Sequence, residues 1–256
     1  MDRLNKFISI KPLLILGPCS AESFDLLDGI VRELKKCNLN FILRAGVWKN
    51  RTNIKSFEGY GEIALQWLQQ IKKIYQLFVA TEVIMPQHIE MCAKYNIDVI
   101  WLGTRTVVNP FLVKELALSL KDYSDNFFVF IKNPILPDIN LWISAIERFL
   151  SLGIENIGLI HRGFFINRTL KYRNAPYWNL AKKIKKLFPN LLILCDPSHI
   201  AGNRKYIKKI INEAKKINFD GYMIECHINP KQALSDNKQQ ITPLYLYRIL
   251  KKTVLE

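Results

Sequence analysis

The sequence predicts an α/β protein that folds as a single-domain (β/α)8 TIM barrel. Eight short apolar runs alternate with eight amphipathic segments along the 256 residues. No GxGxxG turn follows the first run, which disfavours a doubly wound open sheet. No Gly/Ser-rich linker divides the chain, so we expect one barrel over residues 13–256 after an N-terminal extension over residues 1–12.

The predicted strands are short runs rich in Ile, Leu, Val and Phe. They are residues 13–16, 41–43, 78–81, 98–102, 127–131, 156–160, 191–194 and 221–224. Most are apolar at successive positions, which is typical of strands buried on both faces of a parallel sheet. A polar residue follows most runs closely, and in a parallel barrel those ends meet at one mouth.

The predicted helices follow the strands and show apolar residues three to four positions apart. They are residues 21–36, 63–74, 86–95, 110–120, 140–152, 180–187, 204–217 and 244–251. Long connections follow the second and sixth strands, at residues 45–61 and 162–176. Loops at this end of a barrel carry its active site.

The composition, with 49% hydrophobic and 23% charged residues, supports one sizeable core. The formal charge of +15 resides mostly in lysines on predicted helix faces, so we interpret it as solvated surface. We expect no nucleic-acid partner and no membrane association, because the chain shows no binding module and no long apolar segment. Five scattered cysteines without a CxxC pair, and no signal peptide, predict a reduced cytoplasmic location.

Four residues near the strand ends could hold a metal. Cys19 follows the first strand, His199 the seventh, and Glu225 the eighth, with Asp236 in the loop beyond it. Sulfur, nitrogen and oxygen donors together suit a divalent first-row ion, Mn²⁺ or similar. Taken singly, Cys19 could instead be a small buried apolar residue and Asp236 a turn or helix-cap residue.

Three positions next to these candidates can also be interpreted. Asp196 leaves the seventh strand in the same Pro-containing turn as His199, so it is a candidate substrate-binding residue. Strand alternation places Glu225 on one face and Cys226 on the other. We therefore interpret Cys226, and likewise Cys195, as packing residues.

A set of cations also lies at the predicted strand ends and in the loop after the second strand. It comprises Arg44, Lys49, Arg51, Arg105, Lys132 and Arg162. Such a cluster is costly to bury without anions, and phosphate and carboxylate are the anions that Arg and Lys bind best. The cluster predicts two multiply charged anionic substrates, with solvent-exposed cations at the barrel rim as the alternative.

A series of motifs covering nearly the whole chain closely resembles 3-deoxy-D-arabino-heptulosonate 7-phosphate (DAHP) synthase. The likeness is to its short type I-beta form, in the subgroup often fused to chorismate mutase. The motifs are Gly17-Pro18-Cys19-Ser20, Arg44-Ala45-Gly46-Val47-Trp48-Lys49-Asn50-Arg51-Thr52, Ser56-Phe57-Glu58-Gly59, Ala80-Thr81-Glu82, Gly103-Thr104-Arg105, Asp196-Pro197-Ser198-His199, and Glu225 with Ala233-Leu234-Ser235-Asp236-Lys238-Gln239.

The resemblance implies an enzyme that condenses phosphoenolpyruvate with erythrose 4-phosphate, the first step of the shikimate pathway to aromatic amino acids. It implies that Cys19, His199, Glu225 and Asp236 bind the metal, and that Arg105, Lys132 and Arg162 bind phosphoenolpyruvate beside Arg44 and Lys49. It also implies that the segment from Lys49 to Thr52, including Arg51, holds erythrose 4-phosphate. We take Lys49 and His199 as catalytic candidates, and Glu82 as a candidate for handling the proton of the attacking water.

Two residues depart from the family pattern. Asn50 stands where members usually have Pro, and His161 where many have Glu. Neither change removes a charge from the inferred phosphate sites.

Two alternatives remain open, and several partners are expected. The related 3-deoxy-D-manno-octulosonate 8-phosphate synthase uses arabinose 5-phosphate on the same barrel, and a non-catalytic basic protein could also retain it. We expect small phosphorylated substrates and a homo-oligomer, with a separate chorismate mutase as a candidate partner. Because the predicted barrel takes up nearly all of this sequence, we expect no inhibition by phenylalanine, tyrosine or tryptophan.

Overall fold

Eight parallel strands pair in chain order in the computed structural model, and the eighth pairs with the first to close the barrel. The structure describes residues 2–49, 55–166 and 171–255. The strands are β1 (Leu13–Gly17), β2 (Ile42–Arg44), β3 (Val79–Val83), β4 (Val99–Leu102), β5 (Phe128–Lys132), β6 (Ile157–His161), β7 (Leu192–Cys195) and β8 (Gly221–Glu225). The predicted fold class is confirmed.

Most strands extend further at their carboxyl ends than the apolar runs predict. Gly17 pairs with Glu225, and His161 with Cys195, so polar residues belong to the ladder. Strand pairing uses backbone N–H and C=O groups, and therefore continues past the last apolar side chain. This extension places charged side chains on rigid strands at the barrel mouth.

The strands are apolar on both faces because the barrel has two packed layers. Ile15, Trp101 and Phe130 belong to the interior cluster, whereas Leu14 and Leu102 pack outward against the helices. This alternation follows the two-residue period of a strand. Cys195 and Cys226 are fully buried in the outer cluster, which confirms their interpretation as packing residues.

Helices surround the barrel, and side-chain caps mark several of their starts. They are α1 (Asp2–Ile8), α2 (Phe24–Lys36), α3 (Glu62–Tyr75), α4 (Pro86–Lys94), α5 (Thr104–Val107), α6 (Pro110–Lys121), α7 (Ile139–Leu150), α8 (Trp178–Leu187), α9 (Pro197–Ala201), α10 (Ile207–Lys215) and α11 (Pro243–Leu250). Ser23, Asp138 and Thr242 each accept a hydrogen bond from a backbone N–H in the first turn. None of the described helices combines the length and apolar character needed to cross a bilayer.

Three short helices lie where the sequence shows no helical period. In the segment predicted as an extension, α1 buries Leu4 and Ile8 against the barrel interior. Phe7 packs edge-on against Phe78, with 5.2 Å between the ring centroids. The other two, α5 and α9, lie in the loops after β4 and β7. Helices of one or two turns offer too few apolar positions for periodicity to reveal them.

Candidate active site

A cavity of about 380 Å³ opens among the loops at the carboxyl ends of the strands. Five cations line it, namely Lys49, Arg105, Lys132, Arg162 and Arg173. Glu82, His199 and Asp236 also line it. The strand-end residues that sequence reasoning singled out therefore converge on one mouth, and Arg173 joins them without having been predicted.

Three of the four predicted metal ligands form a tight set. One potential ligand atom each from Cys19, Glu225 and Asp236 lies within 4.8 Å of the other two, and no other such set occurs among the described residues. His199 is a neighbour rather than a member of this set, with Nε2 3.7 Å from Glu225 Oε1. One sulfur, one nitrogen and two carboxylate groups in this small space are a donor set that fits a divalent first-row ion.

Cys19 lies at the base of this set and is 1% exposed. Its thiol donates to Asp236 Oδ2 over 3.1 Å and accepts from Lys49 Nζ over 3.0 Å. Burial and the nearby Glu225 carboxylate raise the pKa of Cys19 to about 12, although Lys49 opposes them. The thiol is therefore neutral on its own, and a metal cation is the group that would hold it as a thiolate.

Asp236 lies in the loop after β8 with its backbone in the left-handed region, at a φ of 49°. Asp tolerates this conformation better than most residues, and such backbone strain is common at functional sites. Arg173 Nη1 donates to its Oδ1 over 2.9 Å. The side chain therefore contacts both Cys19 and Arg173, which exceeds the role of a simple turn residue.

A close approach of β1 and β2 brings Arg44 under the site. A Cβ at Gly17, whose φ is 149°, would lie 2.1 Å from the Arg44 carbonyl oxygen, so only glycine fits. The Arg44 guanidinium is buried, donates to Glu225 Oε1 over 3.1 Å and lies 5.0 Å from the Trp101 ring centroid. Its Nε and Nη1 have no hydrogen-bond partner among the described residues.

Lys49 reaches the ligand set from the loop after β2. Its backbone N–H donates to the Glu58 carbonyl over 2.8 Å, and Trp48 before it stacks on His88 at 3.6 Å. Burial opposes its charge, but Cys19 and Glu82 raise the pKa of the Lys49 ammonium above its ordinary value. The ammonium is consequently charged at neutral pH.

Asp196 and Lys132 form a buried ion pair beside His199. Lys132 Nζ donates to Asp196 Oδ2 over 3.1 Å, and His199 Nδ1 lies 2.7 Å from the same oxygen. The other carboxylate oxygen caps α9 by accepting from the His199 N–H over 3.1 Å. His199 and Lys132 together overcome the effect of burial and hold the pKa of Asp196 well below its ordinary value. Asp196 is fully buried and does not line the cavity, unlike His199 and Lys132.

Arg162 lies in a cation-rich part of the cavity lining, close to Arg105 and Arg173. Burial and the charges of Arg173 and Arg105 lower the pKa of Arg162 to about 10. Asn133 fixes the backbone here, accepting from the Arg162 N–H over 2.7 Å and donating to the Gly163 carbonyl over 2.8 Å. A bound anion would offset this repulsion, which makes this part of the lining suited to phosphate or carboxylate.

Glu82 is one of the two acidic side chains among the described residues of the cavity lining, with Asp236. Its Oε1 lies so close to Gly103 that a Cβ there would be only 1.9 Å away. Gly103 therefore leaves room for the carboxylate. Arg51 and Thr52, predicted for the aldose phosphate, lie outside the described residues, as does Asn50.

Sequence reasoning missed Arg173 as a site residue and assigned no role to Gln239. Gln239 is the last residue of a motif in which Asp236 carries the metal-binding assignment, and Arg173 is one of several basic residues in a long loop without periodicity. The available signal was its position in the connection after the sixth strand, where barrel loops carry function.

His161 points away from the cavity, into the outer layer. It is fully buried near the rings of Trp142, Phe164, Trp178 and Phe219. Its Nε2 lies 2.5 Å from the Pro176 carbonyl oxygen and must donate to it, whereas Nδ1 has no partner among the described residues. The histidine therefore anchors the end of the loop after β6 and does not contact the cavity.

Acid should destabilise the fold through His161. Burial, with Arg162 adding to it, lowers the pKa of His161 from 6.5 to about 4, so the folded protein binds this proton less readily than the unfolded chain. Neutral His161 therefore contributes to the free energy of unfolding above pH 6.5. This contribution, about 3 kcal/mol, is lost as the pH falls to 4. Urea unfolding of wild type and His161→Gln at several pH values should show a smaller acid loss in the variant. Equal losses would contradict the assignment.

Comparison with known proteins points to one family. The family model described as the DAHP synthetase I family matches residues 9–254. A phospho-2-dehydro-3-deoxyheptonate aldolase of Thermotoga maritima is 30% identical over 229 residues, which are 89% of this chain and 64% of that protein. The chain thus spans less than two thirds of that relative. A 2-dehydro-3-deoxyphosphooctonate aldolase of Helicobacter acinonychis is 27% identical and matches 94% of each chain.

A solved structure has the same overall architecture. The crystal structure of phospho-2-dehydro-3-deoxyheptonate aldolase (DAHP synthase) from Thermotoga maritima superposes with a TM-score of 0.81 at 27% identity. The match covers 94% of this chain and 67% of that one.

Proposed function

Because this chain belongs to the DAHP synthetase I family, we propose that it condenses phosphoenolpyruvate, erythrose 4-phosphate and water into DAHP and phosphate. This reaction is the first step of the shikimate pathway. The observation that carries the proposal is that the Cys19, Glu225 and Asp236 set reaches, through Asp236, the same cavity that five cations line. A metal site beside a cation-rich lining that can bind two anions suits the coupling of two phosphorylated substrates.

We assign the metal site to Cys19, His199, Glu225 and Asp236. When bound there, a divalent ion such as Mn²⁺ supplies Lewis acidity that polarises the aldehyde carbonyl of erythrose 4-phosphate. The geometry supports the assignment, because Cys19, Glu225 and Asp236 already converge and His199 is 3.7 Å from Glu225.

In this proposal the cations that line the cavity bind and orient the substrates. Arg105, Lys132 and Arg162 hold the phosphate and carboxylate of phosphoenolpyruvate, and Arg44 and Asp196 keep the buried charges beneath them paired. Anchoring both anions places C3 of phosphoenolpyruvate next to the aldehyde carbon. Arg51 and Thr52 are proposed to bind the phosphate of erythrose 4-phosphate.

Proton transfer is assigned to two side chains of the lining. The charged ammonium of Lys49 donates a proton to the aldehyde oxygen as C3 attacks the carbonyl carbon and the new C–C bond forms. Water then adds at C2, and Glu82 accepts the proton that this water loses. The C2–O bond to phosphate then breaks, and the C2 hydroxyl passes its proton to the departing phosphate as the ketone of the product forms.

The competing reaction is the condensation with arabinose 5-phosphate. Relatives named 2-dehydro-3-deoxyphosphooctonate aldolase match this chain at 25 to 27% identity over more than nine tenths of its length, which keeps this reaction as the second candidate. A homo-oligomer, a chorismate mutase partner and a cytoplasmic location also remain predictions.

Substrate choice tests the proposal. Erythrose 4-phosphate should exceed arabinose 5-phosphate in kcat/KM by about 10- to 200-fold, because one extra carbon unit changes binding in the transition state by about 1–3 kcal/mol. Product formation from each aldose phosphate with phosphoenolpyruvate and Mn²⁺ measures the ratio. An inverted ratio would assign the octulosonate reaction, and no product from either aldose would favour a non-catalytic protein.

A variant of Arg51 localises the aldose end of the site. Arg51→Ala should raise KM for the aldose phosphate by roughly 10- to 100-fold, the value of one charge-assisted contact. KM for phosphoenolpyruvate should change much less. The opposite order of effects would overturn the placement of Arg51.

A further inference from the structure

We propose that Arg173 is a positioning residue which, together with Gln239, fixes the two carboxylate ligands of the metal. The inference rests on the proposed function only in assigning a metal to the Cys19, Glu225 and Asp236 set. Neither residue was singled out by charge pattern or motif chemistry.

A chain of three hydrogen bonds joins the two carboxylates. Arg173 Nη1 donates to Asp236 Oδ1 and to Gln239 Oε1, each over 2.9 Å. Gln239 Nε2 donates in turn to Glu225 Oε2 over 2.7 Å. A guanidinium and an amide therefore connect Glu225, at the end of β8, with Asp236 in the loop that follows.

Each carboxylate uses one oxygen for these hydrogen bonds and turns the other oxygen toward the proposed metal. Asp236 Oδ2 faces Cys19 Sγ at 3.1 Å. Glu225 Oε1 faces His199 Nε2 at 3.7 Å and accepts from Arg44 over 3.1 Å. Such outer contacts orient metal-binding groups, and mutating them typically weakens metal affinity about 10- to 100-fold.

The surrounding structure holds Arg173 in this position. Its N–H donates to the Ala201 carbonyl over 3.3 Å, and the Asn174 side chain donates to the His199 carbonyl over 2.7 Å. A Cβ at Gly202 would lie 2.2 Å from the Arg173 Cβ, so the absence of a side chain there makes room for the arginine. The segment is thus tied to α9, which also carries His199.

Charge and orientation predict opposite results when Arg173 is removed. A cation near a metal site repels the metal, so its loss by charge alone would tighten Mn²⁺ binding. If the arginine orients Asp236, its loss weakens binding instead. Gln239 is uncharged and 1% exposed, so replacing it tests orientation without changing charge.

The test is titration of metal-free protein with Mn²⁺ alone, by calorimetry. Arg173→Met and Gln239→Leu should each raise Kd by about 10- to 100-fold. Arg173→Lys should raise it less than Arg173→Met, because it keeps the charge and one donor. The Kd of the double variant should rise by less than the product of the two single fold-changes, because the two residues share one hydrogen bond.

Arg204→Met is the matched control. Arg204 also reaches this loop, but it donates to the carbonyls of Asn237 and Lys238 and not to a carboxylate ligand. Its Kd for Mn²⁺ should stay close to that of wild type. A weakening equal to that of Arg173→Met would mean that loop support in general, and not carboxylate orientation, is responsible, and would overturn the inference.

Wild-type or tighter Mn²⁺ binding in both Arg173→Met and Gln239→Leu would also overturn it, as would a wild-type protein that binds no Mn²⁺. Thermal unfolding of the metal-free variants reports their folding, and Gln239→Leu decides the matter if Arg173→Met does not fold. The product assay on wild type tests the proposed function separately. A protein that binds Mn²⁺ but makes no product would refute that function, and the Kd values of the variants would still test the role of Arg173.

Discussion

Replacing Cys19 with alanine is expected to abolish divalent metal binding and to lower kcat/KM by about 10³-fold or more, while the barrel stays folded. Lewis acid catalysis contributes several kcal/mol, and each 1.36 kcal/mol is a factor of ten in rate. The Cys19 thiol is the only sulfur in the proposed donor set, and it lies within 4.8 Å of ligand atoms of Glu225 and Asp236.

The loss of stability from Cys19→Ala should be small. The side chain is buried, but the change removes a single heavy atom. The free energy of unfolding should therefore fall by only about 1 kcal/mol. Lys49 Nζ keeps a hydrogen bond to the Cys19 carbonyl oxygen, which the substitution does not remove. Loss of metal therefore has to be read as loss of a ligand, provided that thermal unfolding shows a folded variant.

Elemental analysis and steady-state kinetics on the same samples provide the measurement. Cys92→Ala is the matched control, because Cys92 is also fully buried but lies on α4 in the outer layer of the core. It should keep its metal and its turnover. Wild-type metal content in Cys19→Ala would show that the ligand assignment is wrong, and full activity of metal-stripped wild type would remove the metal from the mechanism.

Lys49→Met is expected to lower kcat by about 10²- to 10⁴-fold, the range that a general acid contributes. Its ammonium lies 3.0 Å from Cys19 Sγ and lines the cavity, so it is next to the proposed metal and aldehyde sites. Lys49→Arg should recover little, because a guanidinium has a different reach and does not readily release a proton.

The pH dependence of this residue has a definite sign. Cys19 and Glu82 raise the pKa of Lys49 despite its burial. The ammonium is consequently present at neutral pH and is lost only on the alkaline side of the ordinary lysine value of about 10.4. In the metal-free protein the Lys49 ammonium should therefore stay charged between about pH 7 and pH 9.

Lys73→Met serves as the control for general loss of positive charge. Lys73 is an exposed residue of α3 and does not line the cavity, so its variant should keep wild-type kcat and KM. A Lys49→Met enzyme with an unchanged kcat and a raised KM for either substrate would limit Lys49 to ground-state binding.

Strand positions and strand direction could be predicted from the sequence because they depend on local patterns. Short apolar runs alternating with helical periods require a parallel sheet with helices around it, and eight repeats close it. The side-chain period of two placed Cys226 in the outer layer, opposite to Glu225, as observed. The convergence of Lys132, Arg162 and His199 at one mouth also follows from strand ends alone.

Only the tertiary structure could place the loop residues and the directions of side chains beyond the strands. Arg173 contacts Asp236 across 63 positions of sequence, and no pattern in either loop predicts that pairing. The physical reason is that periodic burial encodes strands and helices, whereas loop conformations depend on capping, close approaches and ion pairs between distant segments.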